Sequence, residues 1–424
     1  MEYKFNLPKN VLYILNTLKQ NGYEGFIVGG SVRDYLLGVE PSDFDITTKA
    51  KPEEVKKIFK RTFDTGIEHG TVTVLLYEND KKCTYEITTY RLDGEYEDNR
   101  HPKNVEFVDN IIKDLSRRDF TINAIAYNDD VGIMDPYSGV NDISKKIIRA
   151  VGDPTKRFSE DALRMLRAIR FAAKLNFTID FQTENSCKML CSNIKYVSKE
   201  RIQQEITKIL VSPNPDFITK VFRFGLSKYI SENLDGIVVK DLLVTKKEYL
   251  AYASFLYYNE KIAKTLMKEL KLDNKTISNT LLLLKAKKYI NDLKYSSNRI
   301  DINLKHTKCS PFQLIIKKII NELGYQLTKD FIILMNRKED MDVSLFENYV
   351  EEYEKFNVPI FIKDIKINGE DLKNIGFKNE EIGLALNSLQ KIIHERPLLN
   401  EHEILYKLSQ KVYKYLNKKE NIHG

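Results

Sequence analysis

Val28-Gly29-Gly30-Ser31-Val32-Arg33-Asp34-Tyr35-Leu36-Leu37-Gly38, followed by Asp43-Phe44-Asp45, is the stretch on which the fold turns. An apolar run from Gly25 to Val28 predicts a strand, two glycines follow it, and residues 31–37 carry a helical pattern. Glycines there let backbone N–H groups approach a ligand closely, and a helix N-terminus favours a phosphate, so the stretch suits a triphosphate. Asp43 and Asp45 stand two apart on a predicted strand, so both carboxylates project from one face and suit a pair of Mg²⁺ ions. In isolation, Gly-Gly is equally a turn, and Asp-x-Asp equally a pair of surface carboxylates.

Outward from this stretch the texture is mixed and then helical. Residues 1–20 predict a helix with Val11, Ile14, Leu15 and Leu18 on one face. Strands are expected at 44–47, 71–76 and 83–90, and helices at 52–60 and 116–127. From Phe158 onward amphipathic patterns dominate, at 161–175, 198–210, 246–270, 311–323, 380–394 and 401–416. The fold class expected is α+β, a head with a small mixed sheet followed by an all-α remainder. Seams are expected at Ser212-Pro213-Asn214-Pro215, at 294–298 and at 337–342, and residues 91–104 read as a long, charged loop.

Charge divides the chain in the same way. Residues 1–160 hold 23 Lys+Arg against 27 Asp+Glu, leaving 44 of the 67 basic and 33 of the 60 acidic residues for the rest. An acidic head suits divalent metals and a basic body a polyanion such as RNA, although a generally basic surface gives the same balance. With 42% hydrophobic and 30% charged residues the chain is globular rather than disordered. No window is long and apolar enough for a membrane span, and the start lacks a secretory pattern, so a cytoplasmic location is expected. Cys83, Cys187, Cys191 and Cys309 form no Cys-x-x-Cys pair, and Cys187 and Cys191 read as small core residues rather than a metal or redox pair.

Further groups surround the first stretch. Glu86 is the one carboxylate in the predicted strand stretch Thr84-Tyr85-Glu86-Ile87-Thr88. Asp114-Leu115-Ser116-Arg117-Arg118-Asp119-Phe120-Thr121-Ile122-Asn123-Ala124 gathers arginine forks suited to phosphate, with an Asp and an Asn to orient them or hold sugar hydroxyls. The Gly-Gly and Asp-x-Asp order resembles the nucleotidyltransferase superfamily that includes DNA polymerase β. Arg117-Arg118-Asp119, Glu160-Asp161-Ala162-Leu163-Arg164 and Val197–Glu205 resemble motifs of class II tRNA nucleotidyltransferases. Ile367–Leu372, Ile382-Gly383 and Leu399–Glu401 are similar to that family's C-terminal segment.

The resemblance implies a catalytic polymerase β-like head (1–150), a nucleotide-selecting neck (151–235), a body (236–345) and a tRNA-binding tail (346–424). It implies two-metal chemistry with Mg²⁺, with Asp43 and Asp45 as the metal ligands and Glu86 as the candidate third catalytic carboxylate, the alternative for Glu86 being a solvent-facing strand residue. A nucleotide would lie against Gly29, Gly30, Arg33, Arg118, Asp119, Asn123, Asp161, Arg164, Arg167 and Arg170. The activity implied is template-independent addition of the 3′-terminal CCA to tRNA, gripped at its acceptor arm and elbow, from CTP and ATP. No membrane or protein partner is expected. Relatives adding only A or only CC, a bacterial poly(A) polymerase, and a non-catalytic RNA-binding relative are the competing readings.

Asp161 and Arg164, three apart, read as neighbours on a helix surface. Cytosine and adenine each offer an amino donor beside a ring-nitrogen acceptor, which one carboxylate and one guanidinium satisfy together. Uracil and guanine reverse that order and would leave the pair unsatisfied. Arg167 and Arg170 continue the spacing, and are readable either as triphosphate ligands or as salt bridges to neighbouring helices. His69 reads as structural. Lys411–Leu416 reads as an amphipathic helix end, with RNA contact as the alternative.

Overall fold

The computed structural model describes residues 4–66, 70–93, 105–297 and 309–420. His69 and most of the loop expected at 91–104 lie outside the described residues. The chain divides into two units, Met1–Lys240 with Val244–Glu248 and Thr265–Leu272, and Asp241–Leu243 with Tyr249–Lys264 and Asp273–Gly424.

In the first unit, α1 (Lys9–Gln20) buries the four residues of its predicted apolar face, Val11, Ile14, Leu15 and Leu18. The strands are β1 (Gly25–Val28), β2 (Asp45–Thr48), β3 (Thr62–Gly66), β4 (Thr71–Glu78), β5 (Lys81–Thr89), β6 (Arg91–Asp93), β7 (Val105–Phe107), β8 (Ala126–Asn128) and β9 (Gly132–Met134). Seven of them form one sheet in the order β3-β4-β5-β2-β1-β8-β9, in which β2 and β5 run parallel and every other pair antiparallel. Register aligns Val28 with Asp45 and Ala126, and Asp45 with Glu86. One row of the sheet therefore runs from the residue before Gly29 to two carboxylates. Phe26, Val28, Tyr90, Leu115, Ala124 and Ala126 pack into a core cluster behind it. Burying each large apolar side chain contributes roughly 1.5–3 kcal/mol.

Helices α2 (Gly30–Leu36) and α3 (Pro52–Ile58) stand where the pattern places them, whereas 116–127 is not a helix. Instead α4 (Ile111–Ser116) ends early, Thr121–Asn123 form one 3₁₀ turn, and β8 follows. Tertiary pairing overrides local propensity here. Thr121 N donates to Arg149 O, Phe120 bridges Ala150, and the Asp119 carboxylate accepts from Phe120 N.

The 3₁₀ turn is held by α5 (Gly139–Ser144), whose Asp142 accepts from Thr121 Oγ1 at 2.7 Å. A Cβ on Gly139 would overlap the Thr121 carbonyl and Ile125. Gly139→Ala is therefore expected to destabilise the protein by about 3 kcal/mol, the upper range for overpacking. Denaturant unfolding measures this, and a change under about 1 kcal/mol would show that the turn yields.

Then come α6 (Pro154–Glu160), α7 (Leu163–Leu175), α8 (Phe181–Met189) and α9 (Lys199–Leu210), with a small parallel pair, β10 (Ile147–Ile148) and β11 (Thr178–Ile179). The expected seam at 212–215 is internal to this unit, where Asn214 Nδ2 donates to Ala173 O at 2.9 Å. Cys187 is fully buried, as a small core residue.

All-helical structure follows. The pattern at 246–270 is two helices, Glu248–Phe255 and Glu260–Glu269, and that at 311–323 extends through Pro311–Glu339. Gly324, at φ 75° and ψ 165°, is not helical and kinks this stretch into two helices, a conformation open to glycine because it bears no Cβ. In the second unit, Asn368 caps the helix Gly369–Ile375 reciprocally with Asp371, so Ile367–Leu372 is a helix start. Asn400 binds back to Asp364 O and Lys366 N. Among the described residues no helix is long and apolar enough to cross a membrane.

Candidate active site

Gly29 leaves β1 at φ 75°, and its N–H donates to Ile125 O, so the chain turns sharply into α2. A Cβ on Gly29 would lie 3.0 Å from Arg118 Nη1, which shows how closely that guanidinium approaches the turn. Arg118 is ion-paired to the fully buried Asp114 at 3.5 Å, and Asp114 also takes Arg117 at 2.9 Å. Burial lowers the Arg118 pKa, while Asp114 counters that by favouring the charged form.

At the other end of the same row, Asp45 and Glu86 are register partners on parallel strands and both are solvent-exposed. Strand β2 begins at Asp45, so Asp43 lies just before the strand rather than on it, exposed, with Ser42 Oγ donating to its carboxylate at 2.9 Å. Protein packed around Asp45 raises its pKa above the ordinary carboxylate range, Arg118 opposes this, and Asp43 adds to it. Among the described residues no three His, Cys, Asp or Glu side chains form a ready-made metal cage. Hard carboxylate oxygens next to an arginine and a glycine turn nevertheless fit a hard divalent cation that takes one or two carboxylates and completes its shell with water and substrate phosphates.

A continuous chain of side-chain bonds links the turn to α7. Arg33 donates to Asp34 (2.7 Å) and to Asn123 Oδ1 (2.7 Å); Asn123 Nδ2 donates to Asp119 Oδ1 (3.1 Å); Arg167 donates to Asp119 Oδ2 through Nε (2.8 Å) and Nη2 (2.6 Å). Desolvation pushes the Asp119 pKa up, but Arg167 and Asn123 more than offset this and hold it down at about 2. Because the folded pKa lies below the unfolded value, Asp119 stabilises the fold above pH ~4 and loses that contribution as pH falls towards 2. Asp119→Asn is expected to cost about 2 kcal/mol at neutral pH, with the gap to wild type closing in acid. Chemical denaturation across pH measures this, and a gap that stays constant would contradict it.

Asp161 and Arg164 are not neighbours on one helix face. Asp161, at φ −140°, breaks the chain between α6 and α7, and its Oδ1 accepts from Leu163 N at 3.0 Å. Its Oδ2 accepts from Arg201 Nη2 on α9 at 2.8 Å. Arg164 is buried, donating to Glu160 Oε2 (2.7 Å), Arg157 O (3.1 Å) and Arg117 O (2.9 Å). Glu160 Oε1 also accepts from Arg157, at 2.6 Å. Arg170 donates to Glu205 Oε2 at 2.6 Å. Arg170 therefore does make an interhelix salt bridge, while Arg167 remains the most open of these arginines, its side chain 34% exposed.

Sequence reasoning did not supply the pairings. Asp114, Arg157, Glu160, Arg201 and Glu205 orient the predicted residues, and the one available signal was that several stand inside the quoted motifs.

The family described as Poly A polymerase head domain matches residues 25–149, and that described as Probable RNA and SrmB-binding site of polymerase A matches 176–237. The CCA-adding enzyme of Ligilactobacillus salivarius is 38% identical over 420 residues, 96% of this chain and 98% of that protein. That of Lactobacillus helveticus is 47% identical over 231 residues, 54% of this chain and 56% of its own. Among solved structures, the Bacillus stearothermophilus CCA-adding enzyme in complex with CTP superposes with a TM-score of 0.79 at 26% identity, covering 96% of this chain and 98% of that one. The Thermotoga maritima CCA-adding enzyme complexed with tRNA shares the fold, with a TM-score of 0.66 at 21% identity and 96% of each chain covered. A likeness that runs almost end to end through a curated relative, over a head built on this glycine turn and carboxylate row, places the chain in the family of CCA-adding enzymes.

Proposed function

We propose that the protein adds the 3′-terminal CCA to tRNA from CTP and ATP without a nucleic-acid template. The observation that carries this is the bonded chain Asp34–Arg33–Asn123–Asp119–Arg167, which ties the glycine turn beside the carboxylate row to the helix that bears Arg164. The similar fold of a CCA-adding enzyme in complex with CTP, at a TM-score of 0.79, supports it.

In this reading Gly29, Gly30, Arg118 and Arg167 receive the triphosphate, with Arg33, Asp119, Asn123 and Arg170 fixing them. Asp161 accepts from the amino group of cytosine or adenine, and Arg164 donates to the adjacent ring nitrogen. Both are held by the protein, so they read the base as a template strand would. Asp43 and Asp45, with Glu86 beside Asp45, would hold divalent ions, Mg²⁺ by the hardness of the donors. Such ions, when bound, neutralise phosphate charge and make the tRNA 3′-hydroxyl easier to deprotonate. The 3′-oxygen, its proton passing to solvent water, bonds to the α-phosphorus as the α–β phosphoanhydride bond breaks and pyrophosphate leaves. The arginines stabilise charge that moves onto the departing group.

We assign residues 1–150 as head, 151–235 as neck, 236–345 as body and 346–424 as tail, the basic parts gripping the acceptor arm and elbow of tRNA. Recognition through phosphates predicts that affinity falls about 10³-fold or more between 50 and 200 mM salt, as for six or more phosphate contacts. Filter binding across salt concentrations tests this, and a flat response would refute the phosphate grip. Equilibrium binding of the four nucleoside triphosphates tests the pocket: CTP and ATP are expected to bind, UTP and GTP more weakly. Equal affinities for all four would overturn the assignment of Asp161 and Arg164.

A further inference from the structure

Three guanidiniums surround one aromatic ring. The Cζ of Arg170 lies 4.1 Å from the centroid of Phe171, and those of Arg33 and Arg167 each lie 5.4 Å from it. Each arginine also has its own carboxylate: Asp34 for Arg33, Asp119 for Arg167 and Glu205 for Arg170. Phe171 is 6% exposed and packs edge-on against Phe120, at 5.7 Å, where the chain turns into the 3₁₀ segment that carries Asn123. Arg167 and Arg170 come from the same helix as the ring, whereas Arg33 arrives from α2 after the glycine turn.

The three carboxylates balance the charges one by one, and Phe171 is the side chain that stands against all three guanidiniums together. An aromatic ring attracts cations, because its faces carry the negative lobes of its quadrupole, and so favours their gathering at one place. An aliphatic residue of similar size fills the space but supplies no such field. We propose that Phe171 is a positioning residue for the nucleotide's triphosphate, its ring holding Arg33, Arg167 and Arg170 in the one arrangement that receives it. This rests on the nucleotide-site reading above. Arg167, the most accessible of the three, makes the contact, and the ring with the other two sets where it stands.

The test compares the full-length wild type with Phe171→Leu, which keeps apolar volume, and Phe171→Tyr, which keeps the ring. Dissociation constants are measured for CTP, ATP, CMP and inorganic triphosphate. Phe171→Leu is expected to weaken CTP, ATP and inorganic triphosphate about tenfold while leaving CMP unchanged, and Phe171→Tyr to recover most of the loss. The ratio of CTP to CMP affinity is internal to each preparation, so a partly misfolded sample does not shift it, and Phe171→Met repeats the loss of the ring with another shape. Wild-type affinities in the Leu and Met variants, an equal loss for CMP, or a Tyr variant as weak as Leu would overturn the proposal. If wild-type protein itself fails to favour CTP and ATP over UTP and GTP, the nucleotide-site reading fails instead, and inorganic triphosphate still reports on the ring.

Discussion

Asp43→Ala and Asp45→Ala are each expected to slow nucleotide incorporation by about 10³-fold or more, equivalent to roughly 4 kcal/mol of lost transition-state stabilisation. The magnitude follows from the chemistry rather than from stability. Both carboxylates are exposed, and removing them breaks no core packing. Single-turnover incorporation with saturating CTP and tRNA, beside a thermal melt, separates the two effects. A variant that melts like wild type and loses the chemistry supports the assignment. One that retains full incorporation would move the metal site elsewhere.

Asp161→Ala should change which nucleotide is used rather than merely how fast. A site built to satisfy a donor beside an acceptor rejects the reversed pattern because its own polar groups are left unpaired. Removing Asp161 is expected to lower kcat/KM for CTP and ATP by about 10²–10³ and to bring UTP and GTP close to them. Arg201, which loses its partner, is partly exposed and can be hydrated. Arg164→Ala should show the same loss of selectivity together with a stability loss of about 2 kcal/mol, since Glu160 and two backbone carbonyls lose a buried donor. Competition between CTP and UTP in single-nucleotide addition measures this. Unchanged selectivity in Asp161→Ala would mean that the base is read by other groups.

These effects were foreseeable from the sequence to unequal degrees. The glycine turn, the strands around it and the helix α1 face were legible because burial on one side enforces a period in the residues themselves. The stretch 116–127 was not, because its conformation is set by pairing to residues 149–150 and by α5, which no local pattern encodes. Asp161 shows a subtler failure. Its three-residue spacing from Arg164 suits a helix, yet its side chain caps the next helix instead, and a short acidic side chain can do either. Glu205 and Arg201 lie 35 and 40 residues from the partners they hold. Such long-range pairings carry no periodic signal, so the motif that contains Arg201 and Glu205 was legible in the sequence while the identity of the residues they pair with was not.

The central claim is the addition of a defined trinucleotide, and the direct measurement is extension of tRNAs lacking the whole CCA, the last CA, or only the A. Each is incubated with the protein and Mg²⁺, with each nucleoside triphosphate singly and with CTP and ATP together, and resolved at single-nucleotide resolution. The account predicts two C residues and then one A on the first substrate, completion of the other two, and no addition from UTP or GTP. Extension of only the last substrate, arrest after the two C residues, an open-ended ladder of A, or no incorporation at all would contradict it.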